Sequence, residues 1–187
     1  RLPSIRDWRI SDISASLKKA IRRNDYTVRI NSDFAGTVTA CAARDETWIN
    51  AGLTTLYGTL HGAGYAHSLE IWRGAAEDEG GAEQMVGGLF GVSLGGAFFG
   101  ESMFSTARDT SKIALAYLVH RLRAAGFVLC DTQFLTSHLA SLGGVEIPRA
   151  AYRAQLAQAI ALQAAFTAPK IPTPEALLAD HAMKKAR

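Results

Sequence analysis

The chain has 187 residues, 48% hydrophobic and 20% charged, enough apolar material to build a sizeable core and to exclude a disordered chain. A membrane-spanning helix is excluded too, since the most apolar stretch, Met85–Phe99, carries five glycines and falls short of the ~20 apolar residues needed. The net charge of +3 hides an asymmetry: residues 1–29 hold eight Lys/Arg against three Asp. Such a basic end suits a polyanion such as RNA, or is a solvated helix face.

In chain order, Ser14–Arg23 reads as a short basic helix with Ile13, Leu17, Ala20 and Ile21 on its apolar side. Thr27–Ile30 predicts a strand, and a helix over about 33–42 follows. Thr47–Asn50 forms a loop, with Asn50 capping a helix that runs to about Gly62. The period then changes. His67–Arg73 alternates as a strand, Ala75–Ala82 is a polar turn, and Gln84–Ser93 and Ala97–Ser102 are strands hinged at Gly95-Gly96, a predicted antiparallel meander. Ser111–Ala125 has the strongest helical pattern, with Asp109 or Thr110 as its cap and Gly126 at its end. Phe127–Phe134 reads as a buried strand, followed by a short helix near Ser137–Leu142 and an alanine-rich helix over Arg149–Ala165. Pro169, Pro172 and Pro174 mark a tail.

This order predicts an α+β fold, with helices packed on a mostly antiparallel sheet. The helix before Phe127–Phe134 makes a right-handed crossover. The arrangement resembles the core of the acetyl-CoA-dependent (GNAT) N-acyltransferases. The Gly-rich loop that grips the CoA pyrophosphate in that fold has no counterpart here, because residues 104–110 read FSTARDT.

Several residues are candidates for chemistry. On a strand, Asp131 and Gln133 share one face with Leu129, while Cys130 and Thr132 share the other. An acid and an amide so placed build a site or bond neighbouring loops. Glu101 follows an apolar approach and must be paired, hydrogen-bonded or solvated; it holds a cation or sits at a strand surface. Trp48, beside Asp45 and Glu46, stacks on a nucleobase or packs half-buried. His61, His67, His120, His138 and His181 lack metal-ligand spacing. Cys41 and Cys130 form no disulfide framework, and Cys130, with nothing basic beside it, reads as an inert thiol. Ser102 lacks the GxSxG elbow. With two cysteines that make neither a disulfide framework nor a zinc cluster, the expected compartment is the reducing cytoplasm.

Together the strings ETWIN (46–50), GYAHSLEIW (64–72), VGGLFGV (86–92), FGESMFS (99–105), Ser111-Lys112, DTQ (131–133), HLASLG (138–143) and EIPR (146–149) resemble the bacterial leucyl/phenylalanyl-tRNA–protein transferase family. The resemblance runs in family order from about residue 12 to 160. It implies transfer of Leu or Phe, sometimes Met, from aminoacyl-tRNA to a protein's N-terminal Arg or Lys, which marks that protein for N-end rule degradation. It implies a GNAT-like catalytic domain and neither metal nor CoA. The family carries a preceding segment with a Phe-Pro-Trp motif that this sequence does not contain. Thr132 stands where relatives often have Cys, and it is expected to point away from the Asp131/Gln133 face.

On this reading residues 1–62 form a basic helical N-terminal part, 63–167 the GNAT-like catalytic domain, and 168–187 an extended or helical tail. Asp131 orients Gln133, whose carbonyl accepts a hydrogen bond from the attacking amine, and Glu101 holds the acceptor's amine or cationic side chain. The donor side chain needs a dry pocket, expected from Leu89, Phe98, Met103 and Leu129, with Phe104 and Ser105 also in the substrate site. Trp48 stacks on the terminal adenine. Lys18, Lys19, Arg22 and Arg23 hold acceptor-stem phosphates. The chain is expected to act as a monomer. Two alternatives stand beside this: a GNAT-type small-molecule N-acyltransferase with a thioester donor, and a shortened non-catalytic tRNA-binding relative.

Overall fold

The structure, a computed structural model, describes residues 14–43, 46–74, 81–136, 139–140 and 144–182. Five strands form one mixed sheet in chain order: β1 (Thr27–Ile30), β2 (Ala66–Gly74), β3 (Glu83–Leu94), β4 (Ala97–Ser105) and β5 (Leu129–Asp131). The first four pair antiparallel, and β5 lies parallel to β4. Among the described residues six helices accompany them: α1 (Ala15–Arg23), α2 (Phe34–Ala42), α3 (Ala51–Gly62), α4 (Thr110–Ala124), α5 (Arg149–Ile160) and α6 (Pro174–Ala182). The fold is α+β, and no described helix is long and apolar enough to cross a membrane.

Strand alternation divides the core between the two faces of the sheet. Leu69, Ile71, Leu89, Phe98 and Cys130 pack with Ile113, Leu118 and Leu122 of α4, Leu17 and Ile21 of α1, and Leu177 of α6. Ala66, Phe90 and Phe104 pack with Phe34, Val38 and Cys41 of α2 and Tyr57 of α3. Ala97 and Leu129 meet Ala159 of α5. Ser14, Asp33 and Asn50 cap α1, α2 and α3 through their side chains. The fully buried carboxylate of Glu70 needs donors, and finds them in the Asp33 N–H (2.9 Å), the Ser68 hydroxyl (2.7 Å) and the Trp72 indole (3.2 Å).

Local patterns account for most of these elements, including the Gly95-Gly96 hairpin turn, and the differences lie towards the C-terminus. The predicted strand over Phe127–Phe134 shrinks to three residues, because β4 offers it only Ala97–Phe99 as partners and the chain turns left-handed at Gln133 (φ 63). The helix expected to reach Ala165 stops at Ile160, where the hairpin turn docks on its end: the Gly96 N–H donates to Ala159 O at 2.7 Å, which also accepts from the Leu162 N–H at 3.0 Å. The tail becomes helical from Pro174, whose missing N–H suits a first helical position. Asp109 precedes α4 without a side-chain cap, since its backbone is left-handed there (φ 65). The polar turn over 75–82 and the short helix near 137–142 lie largely outside the described residues.

Candidate active site

β4 and β5 pair over only three residues and then part. At the same point β4 slips against β3: Phe90 faces Ser102 while Gly91 faces Gly100, so Glu101 is the extra residue of a β-bulge. A bulge re-aims a side chain, here towards the gap between the parting strands. That gap is a cavity of 680 Å³. Leu89, Met103, Leu115, Leu118 and Cys130 line it with apolar surface, and Phe90 and Trp48 extend that surface. Glu101, Ser102, Thr132, Gln133 and Thr136 supply its polar groups. Trp48, 48% exposed, and Phe134, 80% exposed, mark where it opens to solvent.

A chain of hydrogen bonds runs behind this rim. The Tyr57 hydroxyl and the Gln133 Nε2 both donate to Glu101 Oε2, each at 3.0 Å. A carboxylate only accepts, so Gln133 must turn its NH₂ towards Glu101, which leaves its carbonyl oxygen available as an acceptor. The Gln133 backbone N–H donates to Asp131 Oδ1 at 2.8 Å, and the Tyr152 hydroxyl from α5 donates to Asp131 Oδ2. Burial, together with the charge and hydrogen bond of Glu101, pushes the Tyr57 phenol well above its usual range, so it stays a donor. Burial, helped by neighbouring Asp131, pushes the Cys130 thiol up to about 12, which keeps it protonated. Among the described residues no three His, Cys, Asp or Glu side chains are placed to hold a metal ion.

The model of the leucyl/phenylalanyl-tRNA protein transferase family matches residues 7–157. The chain belongs to this family. A leucyl/phenylalanyl-tRNA–protein transferase of Ruegeria sp. (strain TM1040) is 58% identical over 166 residues, covering 89% of this chain and 75% of the relative. A transferase of the same name from Cereibacter sphaeroides (strain ATCC 17025 / ATH 2.4.3) is 59% identical over 157 residues, covering 84% and 70%.

In this transferase-family chain the residues singled out from sequence do not all meet. Glu101, Gln133, Trp48, Leu89 and Met103 line the cavity. Asp131 does not. With Leu129 it faces α5, so the expected shared strand face of Asp131 and Gln133 is replaced by a turn in which the acid holds the amide's backbone. Thr132, expected to point away, lines the cavity, and its buried Oγ1 has no hydrogen-bond partner among the described residues. Phe98 is fully buried against Phe166, and Leu129 lies against Ala97 and Ala159. Phe104 packs on the α2 side and, with Ser105, borders a second cavity of 520 Å³ that Met103 shares. Lys18, Lys19, Arg22 and Arg23 sit on α1, away from the walls of the large cavity, and Arg23 pairs with Asp25 at 3.7 Å.

Sequence reasoning missed Tyr57, Tyr152, Phe134 and the contribution of Leu115, Leu118 and Cys130 to the cavity. Leu115 and Leu118 do carry a signal, the apolar face of α4, but the same signal marks core residues. Nothing in the local pattern around Tyr57 or Tyr152 marks their hydroxyls as partners of distant acids.

Proposed function

We propose that this chain transfers a leucyl or phenylalanyl group from aminoacyl-tRNA to the N-terminus of an acceptor protein that begins with Arg or Lys, marking it for N-end rule degradation. The observation that carries this reading is an apolar cavity with a carboxamide locked at its polar rim by Glu101. The aminoacyl ester is already activated, so alignment with an amine is the main requirement, and alignment supplies ~7–11 kcal/mol. An α-amino group with a pKa of about 7.7 is roughly one-sixth neutral at pH 7, so no strong base is needed.

In this reading the donor side chain enters the apolar end formed by Leu89, Met103, Leu115, Leu118 and Cys130. Apolar pockets separate side chains by only ~1–3 kcal/mol per methylene, which suits a donor range that includes both Leu and Phe. Trp48 and Phe134, both exposed on the cavity's lining, offer aromatic faces to the terminal adenosine. The Gln133 carbonyl accepts a hydrogen bond from the attacking amine, and Glu101 draws the cationic acceptor. As the amine's C–N bond forms, the ester C–O bond breaks and the proton passes to the departing ribose oxygen. Asp131 acts from behind by shaping the turn. Lys18, Lys19, Arg22 and Arg23 hold acceptor-stem phosphates. The parallel β4–α4–β5 unit with its parting strands favours a GNAT-like core, and residues 104–110 lack the glycines of a CoA loop. The reading takes the enzyme as a monomer acting in the cytoplasm.

The test is incubation with radiolabelled Leu-tRNA and an acceptor protein beginning with Arg, with and without RNase. Label transfer that requires intact tRNA supports the reading; transfer from acetyl-CoA, or tRNA binding without transfer, refutes it.

A further inference from the structure

Asp131 lies behind the cavity, 9% exposed, with both carboxylate oxygens engaged. Oδ1 accepts from the Gln133 backbone at 2.8 Å and Oδ2 from the Tyr152 hydroxyl. Gln133 sits at φ 63, a conformation that side chains other than glycine adopt only where the surroundings impose it. The Phe134 N–H donates to Thr132 O at 2.7 Å within the same turn. Released from Asp131, this turn has every reason to relax, and the Gln133 amide would then leave Glu101. Tyr152 itself is rigidly delivered: it packs with Leu156 against the cluster of Ala97, Leu129 and Ala159, which joins α5 to β4 and β5.

We propose that Tyr152 is a positioning residue for the transfer reaction. Its hydroxyl steadies Asp131, Asp131 holds the 131–134 turn, and the turn presents the Gln133 carbonyl to the attacking amine. This assignment rests on the function proposed above. It gives α5, an element outside the cavity wall, a part in setting turnover.

The experiment is a double-mutant cycle on the whole chain, using Leu-tRNA and an acceptor beginning with Arg. Tyr152→Phe keeps the ring and its packing. It is expected to lower kcat about tenfold, with KM for Leu-tRNA unchanged, as for the loss of one hydrogen bond to a charged group. Combined with Asp131→Ala it lowers kcat no further than Asp131→Ala alone, because a residue acting only through Asp131 has nothing left to position. Wild-type kcat in Tyr152→Phe, or losses that multiply in the double variant, overturn the proposal. A second readout does not depend on turnover: in Tyr152→Phe the backbone amide of Gln133 shifts in the NMR spectrum and exchanges faster with solvent. An unmoved Gln133 amide overturns the role of Tyr152, whereas an unsubstituted chain that transfers no label overturns only the function.

Discussion

At the scale of single residues, Glu101 shows how one carboxylate serves two purposes. Its Oε2 gathers the Tyr57 hydroxyl and the Gln133 amide, while its charge remains at the rim of an apolar cavity. The two purposes separate by substitution. Glu101→Gln keeps the shape and an accepting oxygen but removes the charge. It is expected to raise KM for an acceptor beginning with Arg by about tenfold, with KM for Leu-tRNA unchanged. Glu101→Ala also strands the two donors, and kcat falls by about 100-fold. Steady-state kinetics with both substrates varied distinguish these outcomes, and an unaltered acceptor KM in Glu101→Gln removes Glu101 from acceptor recognition. The residue type and its place after an apolar run were legible in the sequence. That it is a bulge residue was not, since a bulge exists only relative to a partner strand.

At the scale of elements, the β3–β4 turn shows how tertiary contact overrides local pattern. Gly95 is left-handed at φ 56, and a Cβ there would lie 2.3 Å from Ile160 O at the end of α5. Gly96 donates to Ala159 O at 2.7 Å and accepts from the Val128 N–H at 2.8 Å, so one turn docks both α5 and the approach to β5. Gly95→Ala is therefore expected to cost about 2–4 kcal/mol, since it combines a left-handed side chain with a backbone clash. Gly58→Ala, in α3 with no heavy atom within 4 Å of the added Cβ, is expected to be stabilising by up to about 1 kcal/mol. Thermal or urea unfolding measures both. The contact also bears on why alanine-rich periodicity predicted a longer helix: propensity continues past Ile160, but the hairpin turn packs against the backbone of Ala159 and Ile160 at the helix end.

For the whole molecule, His67 links β2 to the segment after α5. It is 6% exposed, its Nδ1 lies 3.2 Å from the Asn31 amide, and its ring stacks on Phe166 at 4.4 Å. The Arg121 guanidinium completes the closure by donating to Phe166 O at 2.6 Å and Pro169 O at 2.8 Å. Burial, with smaller contributions from His61 and Arg121, lowers the His67 pKa to about 4. The folded chain therefore binds this proton less readily than the unfolded chain, where His titrates near ~6.5. The stability due to neutral His67 is fully present above about pH 6.5 and is lost as pH falls towards 4, by up to about 3 kcal/mol. Urea midpoints between pH 7 and 4 should fall more steeply for the native sequence than for His67→Gln. Parallel slopes in the two proteins remove His67 as the titrating group.

The amino-acid sequence alone determined nearly every element up to α4, since caps, periodicity and turn glycines act over a few residues and need no distant partner. It also carried the family resemblance, because its motif strings are local. Only the tertiary structure decided which side of the 131–133 segment meets the cavity, that Glu101 rather than Asp131 holds the Gln133 amide, and that Tyr57 and Tyr152 support the two acids. Those outcomes depend on where β4 slips against β3 and leaves β5, and so on pairings and packing between residues far apart in the chain.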